Sequence, residues 1–154
     1  MAYVVVPVLV VLLAGVAGVL VWQVRSNRAA QSAGAESLQA ATDGTVALLS
    51  YRPDTVEKDL EAARSRLTGS FLDAYSSLIH EVVIPGSKEK QISAAATVPG
   101  AASIKATGTN AVVLVFVNQT VTIGKDAPSS TASSVRVTLD RTDGRWLISG
   151  FEPI

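Results

Sequence analysis

The sequence predicts an α+β domain carried on one N-terminal transmembrane helix, and three observations predict it. From Met1 to Trp22 no residue is charged. Between Val56 and Val82 apolar residues recur at helical spacing. From Ile92 onward they alternate with a period of two. Helices followed by strands is the order of an antiparallel sheet with its helices gathered on one face.

Composition agrees with a small, tethered domain. The chain has 154 residues, 48% apolar and 17% charged, with 13 basic against 13 acidic side chains, one histidine and no cysteine. That charge fraction is below the roughly 25% of soluble domains, so some segment concentrates the apolarity. Balanced charge and only 5% aromatic residues argue against nucleic-acid binding by phosphate neutralisation or base stacking. Without cysteine there are no disulfides, thiol nucleophiles or thiolate metal sites.

The apolar run supplies the anchor, residues 1–24. As a helix rising about 1.5 Å per residue it spans roughly 33 Å, against a hydrocarbon core of about 30 Å. No Lys or Arg precedes it, which separates it from a cleaved signal peptide. Pro7 is tolerated near its start. Trp22 is placed at the interface, with Arg25 and Arg28 beyond it. A literal count of those two arginines puts the following domain in the cytoplasm, yet large domains translocate regardless of charge, so charge alone leaves the topology open. Ala14, Gly15 and Gly18 form a small-residue patch. It reads either as a docking face for another membrane helix or as the ordinary abundance of small residues in such helices.

Residues 25–50 read as a stalk helix that gains an apolar stripe at Leu38, Ala41, Thr45 and Leu48 or Leu49. Gly44 marks a bend. Arg52-Pro53 stops the helix, because a residue before proline avoids helical geometry. The domain proper is 51–154. Asp54 and Glu57 have the spacing of a capping box, opening a helix whose stripe is Val56, Leu60, Ala63 and Leu67, closed by Thr68-Gly69. A third helix carries Phe71, Tyr75, Leu78, Ile79 and Val82 and is terminated by Pro85-Gly86.

Alternation then begins at Ile92, Ala94, Ala96 and Val98. It resumes at Ala102, Ile104 and Ala106 after a break at Pro99-Gly100. Ala111 to Val117 is apolar on both faces, the mark of a central strand covered on each side. A polar loop spans 124–133. Val135, Val137 and Leu139 alternate with polar residues, and Asp143-Gly144 turns the chain into Trp146, Leu147 and Ile148.

No residue pattern nominates a catalytic group, a metal or a cofactor. His80 falls opposite the apolar stripe of its helix and Asp73 lies in nearly the same direction, which reads as a surface hydrogen bond. Tyr51, Phe71, Tyr75, Phe116, Trp146 and Phe151 read as core, with the lining of a lipid-binding cavity as the alternative. The sequence shows no Gly-rich phosphate loop and no nucleophile elbow.

Three helices before a curved antiparallel sheet is the order of cystatin-like cones resembling nuclear transport factor two. Local wording narrows the likeness. Leu49-Ser50-Tyr51, Asp59-Leu60, Leu67-Thr68-Gly69 with Phe71 and Tyr75, Phe116-Val117-Asn118-Gln119, Arg136-Val137 and Gly144-Arg145-Trp146 resemble the mammalian-cell-entry (Mce)-associated membrane proteins of mycobacteria and related actinobacteria. The resemblance covers roughly Leu48 to Ile154 plus the anchor, with Arg52 standing where an acidic residue is more usual. It implies a non-enzymatic, single-pass accessory subunit of a lipid importer for sterols or fatty acids. The implied partners are the permease and the Mce proteins, and the implied location is the plasma membrane with the domain on its outer, periplasmic side. Two alternatives remain: an anchored ligand-binding or isomerase-like cone, and a self-associating scaffold similar to the inner-membrane subunits of type IV secretion systems, which implies homo-oligomers.

Overall fold

A computed structural model describes residues 2–154, with side chains from Gly15 onward. Helix α1 runs without interruption over Ala2–Leu49. It is followed by α2 (Val56–Arg64), α3 (Gly69–Leu78), a π-helical turn (Ile79–Val83) and α4 (Ile84–Lys90). Four strands complete the chain: β1 (Ile92–Ala106), β2 (Asn110–Ile123), β3 (Ser129–Thr142) and β4 (Arg145–Pro153). They form one antiparallel sheet in the order β1-β2-β3-β4. The expected α+β layout, helices on one face of an antiparallel sheet, is the observed one.

The core lies between the helices and the inner sheet face. Val113, Val115, Val117, Val137, Leu139 and Ile148 meet Leu60, Ala63, Ile79 and Ala41, all nearly inaccessible. The outer face is different. Val112 and Leu114 are half-buried and Phe116 is 46% exposed, so β2 is covered on one side among the described residues, not on both. Its apolar outer positions made it read as a two-faced strand.

Several helix boundaries also depart from expectation. The stalk helix is not interrupted at Gly44. A Cβ built there would lie 2.5 Å from Ile148 Cδ1, so the glycine admits the isoleucine beneath a continuous helix. No capping box forms at Asp54: the residue before α2 is Thr55, whose Oγ1 donates to Asp59 Oδ2 at 2.6 Å. Thr68-Gly69 does not close α2, which ends at Arg64. Instead Arg66 to Thr68 lie alongside β4, with Ile148 N–H donating to Arg66 O (2.8 Å) and Thr68 N–H to Ile148 O (2.9 Å). Gly69, at φ +64°, turns the chain from that pairing into α3.

Pro85-Gly86 does not terminate the third helical run either. The turn before it widens, Ile84 N–H reaching back five residues to Ile79 O, and α4 starts with the proline in its first positions. A wider turn relieves the clash of the proline ring with the preceding carbonyls and leaves its missing N–H where little is lost. The helix ends at Gln91, which takes the left-handed conformation. Leu78 and Val82, expected in the stripe, are 51% and 60% exposed, whereas Tyr75 and Ile79 are buried.

Bulges explain the strands. Val98 and Pro99 of the edge strand β1 oppose Val117 alone, which is how the proline is tolerated in the sheet. A second irregularity leaves Ile104 unpaired and 58% exposed, so the expected alternation through Ala102, Ile104 and Ala106 is broken there. A third, between Thr138 and Leu139 of β3, lets Ile148 and Phe151 both face the helices. The Asp143-Gly144 turn is as expected, with φ of 50° and 76°.

Candidate functional site

The side chains that distinguish this molecule sit where α1 enters the sheet. Ala33, Ser37, Ala41 and Thr45 recur every four residues and are each at most 2% exposed. Their small size brings the helix close to the strands. The two hydroxyls need no partner across the interface, because Ser37 Oγ donates to Gly34 O (3.2 Å) and Thr45 Oγ1 to Ala41 O (2.7 Å) within the helix.

A polar clasp then fixes α1 to the β3–β4 hairpin. Trp146 Nε1 donates to Glu36 Oε2 at 3.3 Å, Arg141 Nη2 is 3.4 Å from the same oxygen, and the Arg141 guanidinium lies 5.7 Å from the Trp146 ring centre. On the opposite side of the stalk a cleft of about 600 Å³ opens between Asn27 to Leu38 and Ser103 to Ala106 of β1. Above the clasp every described residue from Gly15 to Ser32 is exposed, including Trp22 at 72%. Gly15 and Gly18 have nothing within 4 Å of a built Cβ, so their face is open. Ala14, the third member of the expected docking patch, lies outside the described side chains, as does most of the apolar run. Among the described residues no helix is long and apolar enough to cross a membrane.

The aromatic residues do not converge on one cavity. Phe71 packs on Tyr75 and on Phe151, each with ring centres 6.2 Å apart. Tyr75 is 8% exposed and donates its hydroxyl to Leu48 O at 3.3 Å. Burial, foremost, pushes its phenol well above the ordinary range, and burial also raises the half-buried Tyr51. Tyr51 pairs its backbone with Ala94 of β1. Phe116 points away from these residues, onto the outer sheet face, where its ring covers Gly100 with 3.6 Å to a built Cβ. Trp146 belongs to the clasp.

His80 is exposed, as expected, but its partner is Glu61 rather than Asp73. The carboxylate oxygens of Glu61 lie 2.8 Å from His80 Nε2 and 2.6 Å from Arg64 Nη1. The hydrogen bond from Arg64 is the main reason the Glu61 carboxyl is held below its ordinary range. No group of three or more potential ligands for a metal occurs among the described residues. The wheel arithmetic placed His80 correctly in direction but had no means of placing α2 beside it. Glu36, Arg141, Ala33 and Ser37 were not singled out, whereas Ala41 and Thr45 were read as part of the stalk's apolar stripe. The four-residue spacing of Ala33, Ser37, Ala41 and Thr45 was the signal available.

The whole chain, residues 1–154, matches the family model described as "Uncharacterized protein Rv1363c/MT1408-like". The chain belongs to this family. Outer membrane protein Rv1973 of Mycobacterium tuberculosis is 65% identical over 99% of this chain and 96% of its own length. Uncharacterized protein Rv1362c of the same organism is 43% identical over 97% of this chain and 71% of its own length. Among solved structures, an IcmL-like type IV secretion system protein from Legionella pneumophila superposes with a TM-score of 0.65 at 11% identity, over 78% of this chain and 92% of that one. The periplasmic domain of DotI gives 0.64 at 16% identity over 76% and 91%. VirB8 of Agrobacterium tumefaciens gives 0.59 at 10% identity over 75% and 88%. This Rv1363c/MT1408-like chain therefore shares its fold with these secretion-system domains.

Proposed function

We propose that this chain is a non-enzymatic scaffold of the mycobacterial cell envelope, anchored by its N-terminal helix and docking through that helix and its α+β head onto other envelope proteins. The observation that carries the reading is the continuity of α1: one helix passes from an uncharged apolar run into the centre of the head, where the small buried row and the Glu36–Trp146–Arg141 clasp hold it. Such a joint transmits the position of the anchor to the head and back. The relative named as an outer membrane protein and the secretion-system domains that share the fold support an envelope location. Anchoring confines the head to the membrane plane, so modest contacts suffice for assembly, as tethering raises effective concentration.

Within that reading, the resemblance described above favours an Mce lipid importer as the assembly served, with a single pass through the plasma membrane and the head on the outer side. Self-association is the second form of the same reading, favoured by the shared scaffold fold. The test is purification of the full chain from its native membrane with identification of its companions. Permease and Mce subunits are expected to accompany it. Crosslinked homo-oligomers alone shift the assignment to the self-associating scaffold, and a freely diffusing, trimmed product overturns both. Ala14→Leu with Gly18→Leu is expected to release the companions while leaving membrane insertion intact; unchanged co-purification removes the docking face from the proposal.

A further inference from the structure

The cleft between α1 and β1 takes no part in the clasp, and its walls differ from the core. Small residues, Ala30, Gly34 and Ala35, make the room. Asn27 and Gln31 of the helix and Lys105 of the strand supply polar groups, and no lining residue is acidic. Lys105, like Arg25 and Arg28 of the adjoining stalk, stands in none of the ion pairs found among the described residues. Resting on the anchored reading above, we propose that the cleft seats the headgroup of an anionic phospholipid from the membrane that holds the anchor. The head is then set against the lipid surface rather than only tethered to it.

Depth along α1 favours a lipid over a free anion. Strand β1 runs antiparallel to the helix: Tyr51, past the helix end, pairs with Ala94, whereas Ser103 Oγ and Ala106 Cβ lie 3.7 and 3.8 Å from a Cβ built on Gly34. The end of β1 nearest the anchor is therefore the end that forms the cleft. Asn27 follows the last anchor residue, Val24, by roughly 4.5 Å along the helix, and Gln31 follows it by about 10 Å. The headgroup layer is about 5–7 Å deep on each side of the hydrocarbon, so the rim of the cleft begins inside it. At about 100° per residue, Val16, Leu20 and Val24 point within about 50° of the cleft, and each is about half exposed. One lipid can lay a chain along these three and set its phosphate among Asn27, Gln31 and Lys105.

Charge and backbone agree with that placement. Glu36, the first acid of the chain, is turned to the opposite side of the stalk, where Arg141 and Trp146 hold it, so nothing on the cleft side repels a phosphate. The four-carbon stem of Lys105 lets its ammonium snorkel toward the headgroups. The irregularity in β1 aims the unpaired Ile104 into the wall of the cleft, as bulges re-aim side chains beside binding sites.

Ile104 is also the probe. The full chain, methyl-labelled at isoleucine, is placed in phosphatidylcholine nanodiscs and the fraction of phosphatidylglycerol is raised. The Ile104 δ1 methyl resonance is expected to shift and saturate, while that of Ile123, exposed at the other end of β2 beside Ile92, stays in place. Lys105→Gln is expected to raise the half-saturating fraction about fivefold, as loss of one cation at an anionic surface does. Ala35→Leu, at an exposed position, fills the cleft and is expected to abolish the shift with the head still folded. A chain that does not enter the disc overturns the anchor and this site together. A chain that enters, but whose Ile104 methyl ignores phosphatidylglycerol or responds equally in Lys105→Gln, overturns the lipid site alone. So does an equal shift produced by soluble glycerol phosphate in neutral discs.

Discussion

Helix α1 has two halves with opposite rules. From Gly15 to Ser32 every residue is exposed, including Val16, Val19, Leu20, Val21 and Val24, each about half exposed or more. From Ala33 to Leu48 the buried positions are held by Ala, Ser, Thr and Gly, closing with one leucine. Hydrophobicity and burial in the folded head are thus inverted along one continuous rod. The large apolar side chains have no protein against them, while the small ones are packed because they are small. A helix of this kind takes its place in the head from shape and its place outside the head from solvent preference, which fits the anchor proposed above.

The largest effect expected along this divide comes from truncating the core. Leu60→Ala removes a side chain that is 1% exposed, and is expected to lower head stability by about 3 kcal/mol in urea unfolding. Leu20→Ala, at a position 55% exposed, is expected to leave the midpoint unchanged. A loss at Leu20 comparable to that at Leu60 would show that the outer half packs on the head after all.

Glycine gives a sharper contrast, because one substitution made twice on one helix has different outcomes. Gly44→Val drives a branched side chain into Ile148 and is expected to cost about 2 kcal/mol, as overpacking does. Combining it with Ile148→Val, which removes the obstructing Cδ1, is expected to recover part of that loss in a double-mutant cycle. Gly18→Val meets open space and is expected to leave the unfolding of the head unchanged.

What the sequence disclosed follows the same division. Periods of two and of 3.6 exposed the strands and the buried stripe Val56, Leu60 and Ala63, since each of these elements buries one side, while Leu67, read into the same stripe, is buried beyond the helix against β4. The joints were hidden because they depend on residues distant in the chain. Gly44 reads as a weak point until Ile148 is seen beneath it, and Pro85 reads as a stop until the π-turn is seen to make room for it. Asp54 and Glu57 have capping spacing, yet Thr55 precedes the helix and bonds Asp59. The candidate residues fared alike: Phe71 and Tyr75 fell together because one helix carries both, whereas Phe116 and Trp146 went to opposite sheet faces. Strand parity alone does not say which face the helices cover.

A smaller effect is expected at the clasp, where the two halves of α1 meet. Trp146→Phe keeps an aromatic surface beside Arg141 but removes the Nε1–H that reaches Glu36. Because Glu36 is 50% exposed, the loss in head stability is expected to be about 0.5 kcal/mol. The more telling readout is orientation. Spin labels on the stalk at Ser26 and on the head at Ser134 are expected to give a broader distance distribution in the variant. An unchanged distribution would mean that the small buried row alone sets the angle of the stalk.

The smallest effect separates the two arms of Glu61. Its carboxyl is depressed chiefly by the hydrogen bond from Arg64, and a depressed carboxylate stabilises the fold above its ordinary range and loses that contribution as pH falls through the lowered value. In a His80→Gln background no imidazole contacts Glu61, so the acid-side loss at this carboxylate is read without the ring. The Glu61 side chain is 39% exposed, so screening limits the term to a few tenths of a kcal/mol. Urea midpoints at about pH 7 and about pH 3 are expected to differ slightly less once Glu61→Gln is added to that background. A larger change would mean that α2 is held to the rest of the head by charge more than by Val56, Leu60 and Ala63, reversing the order of effects argued here.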